Sequence, residues 1–518
     1  MTQLSQIKRM LPALCLFTAL LYLSGLSTPA PGGAADQTVQ PPQKQETKPP
    51  ADTANAATEL PAAPPAAEPP MVVGRISDYV VTKNELKERL MTELYPYDRE
   101  TYDEQEQPPD ALTVLMKMLG EKAMVIEARK EGRLNDELIT STVKRFSERR
   151  LVNLLAQKHV DKNRDRLTAT ADEIRQKMQA DQKLDDTRAK AAIEQAKAGK
   201  LLDEYYMQIY AKARVKKLDQ NYARAIEIYQ RLLHRPKEDR KVAWIQNSQL
   251  KNELASREAN LVLALYSGGK VTVKEWLETY CDIVPPRRPV IDTPGAVEEL
   301  VERALRMPLL IWEATALGLD KNEELVTQVR DYEDRRLLSE VQATKQKEVT
   351  EPTTEEVMAY FQKNQEAFGT SKTLKIDLIW CENLPTAQKA KAELDGGKDF
   401  EAVRQQYSLE KTGKPFNTYP TGEGLFWKDL WAGEPGRILG PLKGFHGQGI
   451  QWRLVKILEK TPGQAKQYSP DMEPQIRNRI ISERGKNLVD QYGRELLKKY
   501  SFQAYPEKIK DVDPLNIP

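Results

Sequence analysis

Cysteine and histidine are scarce in this chain of 518 residues, which contains three of each. Structural and catalytic zinc sites draw on these residues at spacings such as Cys-x-x-Cys or His-x-x-x-His, and neither spacing occurs. A glycine-rich loop that could hold the phosphates of a nucleotide is also missing. We therefore expect a protein that works without a metal, a nucleotide or any other cofactor.

An excess of one charge is missing as well. The chain has 78 Lys and Arg against 76 Asp and Glu, which gives a formal net charge of +2. The two signs are interspersed and no polybasic block occurs, so the sequence gives no support to nucleic-acid binding.

The longest apolar run lies at the N-terminus. Lys8 and Arg9 precede Leu11–Leu26, and small residues follow. The run has roughly 16 residues, fewer than the roughly 20 that a helix needs to cross a bilayer. A cleaved signal peptide over residues 1–35 is therefore favoured over an uncleaved anchor, and either implies export to the periplasm or cell envelope. A membrane tether is expected only if the signal stays uncleaved. Residues 36–70 are rich in Pro and Ala, which predicts a disordered tether.

The rest of the chain contains one pattern twice. Each copy begins with a β-branched run, a turn and Thr-x-x-Glu, and continues into apolar residues at helical spacing. Because three blocks match in the same order, we predict two copies of one helical module. The matched blocks are Val72–Leu86 with Val262–Trp276, Glu127–Gly132 with Glu313–Gly318, and Val143–Leu151 with Val329–Leu337.

The ends of the two copies also match, which sets the expected boundaries. Leu202, Asp203, Tyr205 and Ile209 of a predicted long helix correspond to Val489, Asp490, Tyr492 and Leu496 near the end of the chain. We expect a first module over 71–218, connecting helices over 219–259, and a second module over 260–370. The segment 463–518 is expected to supply the final helix of the second module and a tail.

Residues 371–462 separate the two parts of the second copy. Leu374–Trp380 and Ile450–Leu458 read as buried strands, with short amphipathic helices and Gly- and Pro-rich loops between them. This is the composition of a small α+β domain. The predicted fold class is therefore mainly α with an inserted α+β domain.

The inserted domain resembles the parvulin-type peptidyl-prolyl cis-trans isomerases. The modules around it resemble the N-terminal region of the SurA/PpiC class of exported foldases, in which a parvulin domain is spliced into a helical chaperone domain. The resemblance covers nearly all of residues 71–505 and implies two SurA-N-like helical modules plus one parvulin-like domain. The motifs in the insertion are Ala387-x-x-Ala390-x-x-x-Leu394-x-x-Gly397-x-x-Phe400 with Tyr407-Ser408, Gly424–Trp427, Gly440–Leu442 and Trp452–Ile457.

Two positions depart from that family. Parvulins usually carry a His on the first strand and another on the last, and here the aligned residues are Asp377 and Arg453. Each is a candidate for a catalytic role at its position, and each has a plainer interpretation. Asp377 suits a structural hydrogen-bond acceptor, and Arg453 suits a solvated charge on a strand face. A shifted alignment would bring His446 closer, but in a predicted loop.

Isomerase chemistry needs no nucleophile. Rotation about an X-Pro bond faces a barrier of ~18–20 kcal/mol, and lowering that barrier calls for an apolar slot for the proline ring and donors that favour the twisted amide. Candidates to line the slot are Phe426, Trp427, Leu430 and Trp431, which suit the core of a small domain equally well.

Three functions remain open at this stage. The favoured one is a chaperone for unfolded secreted or outer-membrane proteins, the clients that the resemblance implies, with isomerase activity weak or lost. The second is a working prolyl isomerase that binds proline-containing polypeptides. The third is a structural adaptor that holds one partner in the envelope.

Overall fold

A computed structural model describes residues 70–94, 108–233, 245–447 and 449–517. The predicted signal peptide and the predicted tether up to residue 69 lie outside these ranges. As predicted, the described part is mainly helical with small antiparallel sheets, and none of its helices is long and apolar enough to cross a membrane. The chain divides into two compact units. The described residues between 141 and 332 belong to the first unit, and those between 70 and 140 and between 333 and 517 form the second.

The first copy opens with a β-hairpin and continues in helices. Thr82 and Glu85 form the predicted capping box, in which the Thr82 backbone N–H donates to Glu85 Oε2 at 2.7 Å and the Glu85 N–H donates to Thr82 Oγ1 at 3.2 Å. Gly132 ends the second helix with φ +71°, as a C-terminal glycine does. The elements are β1 Val72–Ile76, β2 Tyr79–Thr82, α1 Lys83–Leu94, α2 Ala111–Lys130 and α3 Glu137–Lys162.

A helical stretch follows before the second copy begins. One of its helices, Tyr222–Leu233, buries Tyr222, Ile228 and Tyr229 in the apolar core of the second copy, so it is part of that module rather than a connector. For the helix Tyr222–Leu233, this differs from the expected role of a connecting segment. The elements are α4 Ala171–Ala180, α5 Asp186–Lys212, β3 Lys216–Lys217, α6 Tyr222–Leu233, α7 Asn247–Asn252 and α8 Ser256–Ala259.

The second copy repeats the hairpin of the first, including a shift in the register of its two strands. Val262 pairs with Thr272 as Val72 pairs with Thr82, and both hairpins shift register one residue later. Pro308 does not end its helix, which continues to Ala316. The elements are β4 Val262–Tyr266, β5 Gly269–Thr272, α9 Val273–Cys281, α10 Pro294–Ala316, α11 Glu323–Gln346 and α12 Thr354–Lys363.

The inserted domain is a four-stranded antiparallel sheet in the order β7-β6-β9-β8, with helices on both faces. Its first and last strands include the two segments predicted as strands. The elements are β6 Thr373–Cys381, α13 Leu384–Asp395, α14 Phe400–Tyr407, β7 Phe416–Thr418, α15 Pro420–Glu423, α16 Trp427–Trp431, β8 Ile438–His446 and β9 Gly449–Thr461.

The chain ends with a long helix and a short strand, α17 Glu473–Lys499 and β10 Phe502–Ala504. Here the structure differs from the expected boundaries. Helix α17 packs along α2, and β10 pairs with β1, so the C-terminal segment completes the first copy instead of the second. The second copy is completed by the matching segment that precedes it, since α5 packs on α10 and β3 pairs with β4.

Candidate functional site

The two faces of the inserted sheet separate the two candidate catalytic residues. Successive residues of a strand point to opposite faces, and Ile379 and Leu454 pack with α13 and α14 on one face. Arg453 pairs across the sheet with Trp380, on the other face. Asp377 shares the face of Ile379. Asp377 and Arg453 therefore lie on opposite sides of the sheet and cannot act on one substrate together.

Arg453 is not the solvated charge that the sequence favours. Its side chain is 2% exposed, and its Nη2 donates to Glu423 Oε2 at 2.6 Å, with the Glu423 side chain 7% exposed. The hydroxyl of Thr418 donates to the other Glu423 oxygen at 2.7 Å. The Arg453 Nε also donates to the Lys443 carbonyl at 3.3 Å. The guanidinium is thus neutralised by a buried partner and fixed in place.

Asp377 occupies the position of a structural acceptor. One of its carboxylate oxygens accepts from the guanidinium of Arg404 and, at 3.0 Å, from the backbone N–H of Leu378. The Arg404 side chain is 3% exposed and also donates to the carbonyl of Gly413 at 2.8 Å. The pair therefore ties β6 to α14 and to the loop that follows α14.

The residues expected to line a proline slot lie mostly in the core. Phe426 is 5% exposed, Trp427 4% and Leu430 0%. Trp427 and Leu430 pack beneath the sheet with apolar residues of β6 and β9, and Trp431 stacks half-buried on Trp427 with ring centroids 5.4 Å apart. Phe426 meets the half-buried Phe445 edge-on at 5.1 Å. Phe426, Trp427 and Leu430 therefore lie in the core, whereas Trp431 stays partly accessible.

Sequence reasoning missed the partners that fix this face. Glu423 lies 30 residues before Arg453, and no local pattern links them. The usable signal is an arginine inside the apolar run of β9, because a buried cation requires a carboxylate nearby. His446 also lies near the face, with its ring 4.8 Å from that of Trp380 and its Nε2 3.0 Å from Glu410 Oε1.

A second candidate site is a narrow cleft in the helical part of the first unit, between α3, α5 and α10. Its walls are aliphatic and aromatic, and Arg306 is the one charged residue among them. The guanidinium of Arg306 lies 5.2 Å from the Tyr206 ring centroid and pairs with Asp203 at 3.3 Å. The cleft is lined by Val152, Leu155, Ala156, Leu202, Tyr205, Tyr206, Arg306 and Leu310.

The pKa values of three groups at or beside the cleft are shifted towards their neutral forms. Burial raises the pKa of the Tyr205 and Tyr206 hydroxyls. His159 stacks on Tyr205 with centroids 3.8 Å apart, and burial together with the nearby cations Lys162 and Arg166 lowers its pKa. With Arg306 matched by Asp203, the cleft offers a ligand apolar surface and little net charge.

Neither a group of metal ligands nor a thiol of lowered pKa is found in the part of the chain that the structure describes. No group of three His, Cys, Asp or Glu side chains there is placed to hold a metal ion. Cys281 and Cys381 are free thiols, and burial raises the pKa of each to about 11.

No protein-family model and no curated protein matches this chain. Among solved structures it is similar to a SurA-like chaperone of Campylobacter jejuni, at 15% identity over 45% of this chain and 96% of that chain, with a TM-score of 0.22. It is also similar to the peptidylprolyl isomerase PrsA of Bacillus anthracis, at 16% identity over 34% and 81%, with a TM-score of 0.20. It is similar as well to PrsA of Bacillus subtilis, at 13% identity over 47% of this chain and 94% of that chain, with a TM-score of 0.15.

Proposed function

We propose that this chain is an exported protein-folding factor that holds unfolded polypeptides, and that its parvulin-like domain contributes structure or binding rather than catalysis. The observation that carries the proposal is the apolar cleft between α3, α5 and α10. The apolar run near the N-terminus supports export. The resemblance of residues 71–505 to SurA/PpiC foldases supports the same class of client.

Unfolded chains expose apolar side chains that a folded protein buries. The cleft offers such side chains an apolar, nearly uncharged surface, which does not select among sequences by charge. Next to it on α10, Met307 is 39% exposed and adds a flexible apolar group. Covering apolar surface gains roughly 25 cal/mol per Å², so a cleft this small gives weak and reversible contacts. Such contacts allow release without a nucleotide.

The contacts of the candidate residues in the inserted domain argue against isomerase catalysis. Catalysis calls for a donor aimed at the twisted amide in an apolar slot, but the buried Arg453 donates to Glu423 and to the Lys443 carbonyl. Phe426, Trp427 and Leu430 are buried in the core. We therefore expect no acceleration of proline isomerisation.

An active isomerase is the second candidate, because one observation favours it. Trp380, His446 and Arg453 lie together at the end of one sheet face, and the half-buried Leu442 pairs with Arg453 across the strands. A short proline peptide that contacts this group could use His446 as a donor.

Two assays on the purified protein test the proposal. The first measures binding of fluorescently labelled, carboxymethylated α-lactalbumin, which is permanently unfolded, with the native protein as the control ligand. We expect binding of the unfolded form alone. The second measures the cis-to-trans rate of a short Xaa-Pro peptide, where we expect the uncatalysed rate. Failure to bind the unfolded protein would reject the chaperone proposal, and a fast, His446-dependent isomerisation would establish the second candidate.

A further inference from the structure

The two copies differ at the positions where one pair of matching helices crosses. When the two copies are aligned on Glu127 and Glu313, Gly120 of α2 corresponds to Arg306 of α10. When they are aligned on Tyr492 and Tyr205, Gly493 of α17 corresponds to Tyr206 of α5. The same helix pair, α2 with α17 in one copy and α10 with α5 in the other, therefore has two glycines in the first copy. In the second copy it has an arginine and a tyrosine.

In the first copy the glycines let the helix backbones touch. A Cβ added to Gly120 would lie 3.3 Å from the backbone Cα and C of Gly493, and one added to Gly493 would lie 3.5 Å from the Gly120 Cα. Both residues are buried. The side chains at a helix crossing set the distance between the axes. With glycine on both helices, α2 and α17 meet backbone to backbone, and we call this crossing closed.

In the second copy the corresponding side chains stand between the helices. The guanidinium of Arg306 lies over the Tyr206 ring, with 5.2 Å from the guanidinium carbon to the centroid, and Asp203 of the same helix as Tyr206 holds it at 3.3 Å. Both side chains line the cleft. Two large side chains stacked in this way need more room than two glycines.

We infer that Tyr206 and Arg306 hold α5 and α10 apart and thereby create the cleft, so that client contact at this site is confined to the second copy. The matching crossing of the first copy is a closed structural joint. This inference rests on the proposed function. Tyr206 and Arg306 are positioning residues, and the surface proposed for client contact is the apolar remainder of the lining on α3, α5 and α10.

The test compares two double variants of the full chain. Tyr206→Ala with Arg306→Ala removes the spacer but keeps helix-forming residues. Tyr206→Phe with Arg306→Met keeps its bulk and loses its polar groups. We expect the Ala pair to weaken binding of carboxymethylated α-lactalbumin at least about fivefold and the Phe/Met pair to change it less than about twofold. Circular dichroism and urea unfolding establish that both variants fold.

A distance measurement separates the inference from the proposed function. Spin labels are attached to cysteines that replace the exposed Gln208 of α5 and Arg303 of α10. Double electron–electron resonance between the labels, with no client present, reports the spacing of the two helices. We expect a shorter distance in the Ala pair and the wild-type distance in the Phe/Met pair. An unchanged distance in the Ala pair, or equal loss of binding in both pairs, overturns the inference. Absence of client binding by the wild type, with the distance change intact, rejects only the proposed function.

Discussion

Two arginines of this chain meet carboxylates in opposite surroundings. Arg453 and Glu423 in the inserted domain have side chains 2% and 7% exposed, whereas Arg306 and Asp203 at the helical cleft are 29% and 39% exposed. The first pair is enclosed between the sheet and α15 and seals that face. The second remains in contact with solvent while its guanidinium stacks on Tyr206. The same kind of pair therefore closes one candidate site and keeps the other open.

The difference is energetic as well as geometric. Charges that leave water lose their hydration, so each buried partner depends on the other, and removing one costs several kcal/mol. A pair that stays in solvent contributes little, because water screens the attraction and hydrates each charge. The sealed site should thus respond strongly to loss of a carboxylate, and the open site weakly. Substitutions at the two sites can test this contrast.

The largest effect is expected for Glu423→Gln. The change leaves the Arg453 cation buried without its counter-charge, which should lower the free energy of unfolding of the inserted domain by about 3 kcal/mol. Urea unfolding followed by tryptophan fluorescence measures it. The matched control is Glu434→Gln in the same domain, whose carboxylate is 72% exposed, and we expect a change within about 0.5 kcal/mol there.

A double variant sharpens this prediction. Replacing Arg453 by Met and Glu423 by Leu removes both charges, so most of the lost stability should return. If Glu423→Gln unfolds at the wild-type urea concentration, the pair does not stabilise the domain and the contrast between the two arginines fails.

The next largest effect is expected at the closed helix crossing. Gly120→Leu forces a side chain against the backbone of Gly493, and overpacking of this kind should cost about 2 kcal/mol. Gly199→Leu in α5 is the control, because nothing lies within 4 Å of its added Cβ, and it should stabilise the helix by up to about 1 kcal/mol. Urea unfolding distinguishes the two, and equal midpoints would contradict a closed crossing.

Local features of the fold could be predicted from the sequence because each depends on neighbouring residues. The capping boxes at Thr82 and Thr272 form as the Thr-x-x-Glu spacing predicts, and Gly132 and Gly318 adopt the left-handed conformation that a helix C-terminus requires. The strands that bound the inserted domain were likewise predictable from their apolar runs.

Partner choice between distant segments was not predictable. Helices α5 and α17 come from matching positions of the two copies, so their apolar patterns fit either copy. The choice depends on details such as the contact of Gly120 with Gly493, which no periodicity reveals. The face of Arg453 was missed for a similar reason, since the register of β9 on β6 and the position of Glu423 arise only when the sheet assembles.

A moderate effect is expected where the C-terminal tail meets the inserted domain. Lys443 of β8 donates to the Leu515 carbonyl at 2.8 Å, and its ammonium lies 5.1 Å from the Trp452 ring centroid. Lys443→Met keeps the length of the side chain and removes the donor, which should cost about 1 kcal/mol. Hydrogen exchange should then speed up in residues 509–517, with β6 unchanged. Unchanged exchange in the tail would mean that this contact does not hold it.

The smallest effect is expected for Asp203→Asn, which repeats at the open site what Glu423→Gln does at the sealed one. The variant keeps the shape of the side chain and removes a charge whose partner, Arg306, retains access to water. The free energy of unfolding should change by no more than about 0.5 kcal/mol. The affinity for carboxymethylated α-lactalbumin should stay within about twofold, because the stacked Tyr206 and Arg306 still occupy the space between the helices. Isothermal titration and urea unfolding measure the two quantities. A loss of stability as large as that of Glu423→Gln would show that the cleft pair is buried in solution, and the site would then be closed to a client.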